Sequence, residues 1–69
     1  MVEVFKTNVE SKSQATVLIT ALSRLFPGCR INIDLDDCDR ILRLEGEQFC
    51  ITTTIGLLSE MGYQCEILE

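Results

Sequence analysis

The sequence predicts an α+β fold, a βαββαβ sandwich with one four-stranded antiparallel sheet in the order 4-1-3-2 and two helices on one face. Three observations predict it. Short alternating apolar stretches bracket two segments of helical spacing. A capping box opens the first of those segments and Pro-Gly closes it. Right-handed crossovers then leave one arrangement in which the first and third strands are central. At 69 residues there is room for a single domain, residues 1–69, and no Pro- or Gly-rich linker divides it.

The elements follow in order. Val2 and Val4 alternate with Glu3 and Phe5 in a strand ending near Thr7–Asn8. Ser11-Lys12-Ser13-Gln14 reads as a capping box, with Ser11 at the N-cap. Ala15, Leu18, Leu22 and Leu25 recur at steps of three and four, so one face of the helix is apolar, and Pro27-Gly28 ends it. Cys29, Ile31, Ile33 and Leu35 alternate with polar residues in a second strand, and a turn at Asp36–Asp39 returns the chain along Arg40–Glu45. Gly46 closes that hairpin. Ile51, Ile55 and Leu58 keep helical spacing through Thr52-Thr53-Thr54 and Gly56, which are poor helix formers. Gly62 suits the left-handed position past a helix end, and Tyr63–Leu68 alternates as a last strand.

The expected core is Ile31, Ile33, Leu35, Leu42 and Leu44 of the sheet against Leu18, Leu22, Leu25, Ile55 and Leu58 of the helices. With Val4 and Leu42 directed at the helices, Phe5 and Ile41 point to the open face of the sheet as a candidate contact pair.

Composition excludes several functions. Hydrophobic residues make up 46% of the chain and mean hydropathy is +0.21, which is outside the range of disordered chains. Eleven acids against six bases give a net charge of −5, and there is no Trp and only one Tyr, so neither a basic surface nor a stacking platform for nucleic acid exists. Residues 1–30 carry a net +2 and residues 31–69 a net −7. No apolar run reaches the ~20 residues that span a bilayer, and the N-terminus lacks a signal-peptide pattern. With four cysteines at wide spacing, these features predict a cytoplasmic protein with reduced thiols. Cys29, Cys50 and Cys65 fall at core positions of the pattern, and Cys38 falls at an exposed turn among Asp36, Asp37 and Asp39. With no His in the chain, neither a nucleophile–base pair nor a zinc set can be assembled from the usual residues, so no enzyme and no cofactor is expected.

Three segments resemble the heavy-metal-associated domain of copper chaperones and metal-transporting ATPases. Ala21-Leu22-Ser23-Arg24-Leu25-Phe26-Pro27-Gly28 is similar to the end of that family's first helix with one residue inserted. Ile31-Asn32-Ile33-Asp34-Leu35 is similar to its second strand, and Leu58-Ser59-Glu60-Met61-Gly62-Tyr63 to the end of its second helix. The resemblance covers nearly the whole chain and implies the ferredoxin-like sandwich. It also implies a Gly-Met-x-Cys-x-x-Cys metal loop, which falls here on Asn8-Val9-Glu10-Ser11-Lys12-Ser13-Gln14. Ser11 and Gln14 replace both ligand cysteines and Val9 the methionine. Neither a hydroxyl nor a carboxamide offers the soft donation Cu(I) needs.

The expectation is therefore a non-catalytic interaction module on a scaffold that has lost its metal site. By resemblance it would meet a protein partner, or a second copy of itself, through Asn8, Val9, Ser11 and Gln14 beside Tyr63. Two alternatives stand beside it. One is residual soft-metal carriage by the other cysteines; the other is a small-ligand sensor of the amino-acid-binding type.

Overall fold

The computed structural model describes residues 1–68. Its elements run β1 (Val2–Thr7), α1 (Lys12–Leu25), β2 (Arg30–Asp34), β3 (Ile41–Glu45), α2 (Ile51–Glu60) and β4 (Cys65–Ile67). The strands form one sheet in the order β2-β3-β1-β4, all neighbours antiparallel. This is the expected order read from the other edge, and the fold is a ferredoxin-like α+β sandwich.

Local chemistry sets the helix limits. The Ser11 hydroxyl accepts the Gln14 N–H at 3.1 Å, and the Gln14 side-chain oxygen accepts the Ser11 N–H at 3.2 Å, so the capping box is complete. Pro27 cannot continue α1, which stops with Phe26 as C-cap. The threonine run does not break α2. Thr54 is fully buried, and its hydroxyl donates back to the Cys50 carbonyl at 2.9 Å, which satisfies it inside the core. At the other end Gly62 takes φ +92°, so that Gly62 and Tyr63 donate to Ser59 and Leu58 and close the helix in a Schellman turn.

The core between sheet and helices is Phe5, Val9, Ala15, Leu18, Leu22, Leu42, Leu44 and Leu58. Ile31, Ile33, Leu35 and Ile55 are half-buried against it, as edge positions of a sandwich this small must be. Leu25, expected in the core, is 45% exposed at the last residue of α1.

Four further expectations are corrected. Phe5 does not lie on the open face. It pairs with Leu42 and Ile67, faces the helices and is 0% exposed. Val9 is not a surface residue of the first loop but a fully buried anchor. Arg40 does not start β3; its φ of 47° makes it the left-handed residue ending the hairpin turn. β4 is three residues long, because the Tyr63 N–H closes α2 and the Gln64 N–H bonds the Asn8 side chain.

Candidate functional site

The first loop and its neighbours form one end of the sandwich. Asn8 links the loop to the α2–β4 turn, its side-chain oxygen accepting the Gln64 N–H at 2.7 Å. On the other side the loop is laced to the hairpin turn. The Thr7 hydroxyl donates to the Arg40 carbonyl at 2.6 Å and accepts the Val9 N–H at 3.3 Å, and the Arg40 guanidinium donates to the Val9 and Glu10 carbonyls at 3.5 and 3.4 Å. Asn8, Ser11, Gln14 and Tyr63 are thus brought to one end, with Asn8 and Ser11 exposed and Gln14 and Tyr63 half-buried. Val9 shares the location but turns inward.

These residues do not fit a soft metal ion. The Ser11 and Gln14 oxygens are hard donors, and both are engaged in capping α1; the Gln14 oxygen also accepts the Glu10 N–H at 2.9 Å. The Asp37–Asp39 turn brings three potential ligand atoms, from Asp37, Cys38 and Asp39, within 4.8 Å of one another. Its carboxylates have structural work instead: Asp37 accepts the Asp39 N–H at 2.8 Å, and Asp39 lies 3.8 Å from the Lys6 ammonium.

The cysteines divide between the two ends. Cys38 is exposed in the hairpin turn and Cys65 lies in β4 opposite Thr7. Cys29 and Cys50 line one cleft of about 940 Å³ at the far end, where Leu25, Phe26, Pro27 and Phe49 supply the apolar wall. Phe26 and Phe49 meet edge to face with centroids 6.5 Å apart, and the Cys29 thiol donates to the Gln48 carbonyl at 3.3 Å. Gly46 packs closely there: a β-carbon on it would fall 2.6 Å from the Cys29 sulfur and 3.2 Å from the Cys29 α-carbon, so Cys29 would have to shift. Periodicity did not point to this cleft, although the aromatics Phe26 and Phe49, each next to a chain break in helical pattern, were its available signal.

Cys50 was expected in the core, but it is the exposed N-cap of α2. The Thr53 hydroxyl and the Thr53 and Thr52 N–H groups at the start of α2 favour the thiolate and hold its pKa below the ordinary thiol value. Burial pushes the Cys65 thiol up to about 11, with Glu66 adding repulsion. Iodoacetamide at neutral pH should therefore label Cys50 ahead of Cys65, as peptide mass spectrometry after timed quenching would show. Faster modification of Cys65 would contradict these environments.

The second candidate surface is the open face of the sheet. The registers place Val2, Val4 and Lys6 of β1 there with Ile41, Arg43 and Glu45 of β3, Arg30, Asn32 and Asp34 of β2, and Glu66 of β4. Leu68 extends the face beside β1, its N–H donating to the Val4 carbonyl at 2.9 Å. Ile41 is half-buried on this face as expected, and Val4 takes the place assigned to Phe5. Charge alone does not decide this face from the sequence, because Lys6 shares the parity of Val4 and Glu3 that of Phe5.

Among the described residues no helix is long and apolar enough to cross a membrane. Comparison of the chain with family models, curated proteins and solved structures gives no match.

Proposed function

We propose that this chain is a non-catalytic interaction module, built on a heavy-metal-associated-like scaffold without that family's soft-metal loop, and that it meets a protein partner through the open face of its sheet. One observation carries the reading. Val4 and Ile41 on the two central strands, with Val2 and Leu68, put four apolar side chains on a face where they alternate with Lys6 and Arg43. Apolar side chains together with arginine are characteristic of protein interfaces. The acidic balance of the chain supports a protein rather than nucleic acid as partner. Its first loop supports the same reading, since its polar groups are spent on holding the fold.

The test is partner capture from the cells that make the protein, with Val4→Glu compared against Val17→Glu. Val17 is 57% exposed on α1, away from the sheet. Loss of the captured protein with Val4→Glu alone is the expected result; equal capture by both variants removes the face from the reading.

A second reading, soft-metal carriage, is favoured by one observation: Cys29 and Cys50 line the same cleft. Competition of the reduced protein with a strong Cu(I) chelator decides it, and loss of that competition in Cys50→Ser would locate the ion.

A further inference from the structure

We infer that the free edge of β2 is a self-pairing edge, at which two copies of this chain join their sheets by antiparallel β2–β2 pairing about a two-fold axis at Asn32. The inference stands apart from the open-face reading and rests on backbone parity and on charge. β2 ends the sheet, with β3 on one side of it and no strand on the other. The Gly46 N–H donates to the Met1 carbonyl at 2.9 Å, so Gly46, Leu44 and Leu42 aim their backbone groups at β1. Glu45, Arg43 and Ile41 therefore aim theirs at β2, where they meet Arg30, Asn32 and Asp34. Ile31 and Ile33 are left with N–H and carbonyl groups directed away from the sheet, a row open to another strand. Among the described residues no turn or loop backbone bonds to them. Nor does a proline, a lysine or a bulge blunt the strand.

The side chains of the strand complement themselves. Antiparallel pairing centred on Asn32 sets Ile31 opposite Ile33 of the second copy and Arg30 opposite its Asp34, and the two-fold axis repeats both pairs. The isoleucine pairs join the outward backbone groups and carry the new hydrogen bonds. The Arg30–Asp34 pairs fall at the non-hydrogen-bonded sites, where facing side chains come closest. Both residues are exposed, and neither has an ion-pair partner in its own chain among the described residues. The Asp34 carboxylate accepts the Asp36 N–H at 3.0 Å through one oxygen, which leaves the other for Arg30. Ile31 and Ile33 are half-buried at the edge of the core, and the second copy's isoleucines extend that core across the joint.

Register and choice of edge are both specified. A slide of two residues is the smallest that keeps the outward groups together. It faces Arg30 with Asn32 in one direction and with Asp36, past the end of the strand, in the other. The register centred on Asn32 alone overlaps the whole of β2. The opposite edge of the sheet lacks this complementarity. There the Leu68 N–H donates to the Val4 carbonyl, so Cys65 and Ile67 face outward, and pairing centred on β4 would set Glu66 against Glu66. Like charges directly opposite work against association. Joining at β2 makes one continuous sheet from two, and the two-fold axis closes it at the dimer. Contact along one strand is small, so the dimer forms and dissociates with concentration.

Sedimentation equilibrium of the full chain from about 10 μM to about 1 mM should show a reversible monomer–dimer equilibrium. Asp34→Arg places an arginine opposite Arg30 and should weaken the dimer by about tenfold or more. It does so although it moves the net charge from −5 to −3 and thereby reduces the general repulsion between copies. Arg30→Asp, which meets Asp34, should weaken it likewise. The variant carrying both changes returns to −5 and again faces opposite charges, so association at the wild-type level should return. Far-UV circular dichroism checks that each variant is folded. Amide hydrogen exchange of wild type needs no variant: the Ile31 and Ile33 N–H groups should be protected at high concentration and exposed on dilution, whereas Asn32, which faces β3, stays protected at both. A monomer at every concentration overturns the inference. A dimer that the paired charge reversal does not restore overturns it too, as does one in which Ile31 and Ile33 gain no protection. Growth beyond the dimer with protection at Cys65 and Ile67 also overturns it, since that is head-to-tail joining of β2 to β4. Partner capture through the open face is read separately, with Val4→Glu.

Discussion

Phe5→Ala should leave most of the protein unfolded at 25 °C, whereas Val4→Ala should cost less than about 1 kcal/mol. The two side chains are neighbours on the same central strand and lie on opposite faces of it. Phe5 is fully enclosed, pairs with Leu42 on one side and Ile67 on the other, and packs in the cluster that includes Leu18, Leu22 and Leu58. Truncating a buried Phe removes its transfer energy and leaves a cavity, about 3–5 kcal/mol together. A domain of this length has roughly 3–10 kcal/mol of stability, so that loss is comparable with the whole. Val4 is half-buried among open-face side chains and leaves no enclosed cavity when shortened. Urea titration of the three proteins, followed by far-UV circular dichroism, compares them. A wild-type midpoint for Phe5→Ala with a large loss for Val4→Ala would reverse the orientation of β1.

That orientation shows where the sequence is readable and where it is not. Elements whose limits depend on nearest neighbours were legible: the Ser11–Gln14 box, the stop at Pro27, the alternation of β2 and the left-handed Gly62 all recur in the structure. Strand order was legible too, because few right-handed connections exist for two helices between four strands. The face of β1 was not, because Val4 and Phe5 are both apolar and periodicity alone gives either one to the core. Glu3 and Lys6 have opposite parity and argue against each other. Pairing with Leu42 settles the matter: Glu3 sits at the sheet end, half-buried, while Lys6 is exposed on the open face.

The candidate site was partly legible for the same reason. Asn8, Ser11, Gln14 and Tyr63 reach one end of the fold because β1, α1 and α2 all have termini there. Val9 escaped because a loop residue has no period to reveal its direction, and the hydrogen bonds that hold its backbone, its N–H donating to Thr7 and its carbonyl accepting from Arg40, span up to 31 residues of sequence. Cys50 escaped because its place at the α2 N-cap depends on where a helix begins inside a run of weak helix formers.

Replacing Ser11 and Gln14 with Cys should give the protein a Cu(I) affinity that competes with a strong chelator. The scaffold already supplies what two thiolates would need. Position 11 is the N-cap, with extended backbone, and position 14 is the third residue of the helix, so both side chains turn over the first turn, each accepting the other residue's backbone N–H, at 3.1 and 3.2 Å. Both sulfurs would lie at the positive end of the α1 dipole, which lowers thiol pKa values and favours the thiolates that bind a soft ion. The cost is the capping box. The Ser11 and Gln14 side chains accept three hydrogen bonds, from the N–H groups of Gln14, Glu10 and Ser11, and losing them removes about 1–2 kcal/mol. The metal-free double variant should therefore melt about 4–16 °C below wild type. Metal that binds only the folded form then recovers stability in proportion to its affinity. Chelator competition and melting curves, both on fully reduced protein, measure the two effects separately. A double variant with the lowered melting point and no copper affinity would mean that the first loop does not hold positions 11 and 14 where two thiolates can reach one ion. Tight binding by wild type would instead direct attention to Cys29 and Cys50, at the opposite end of the sandwich.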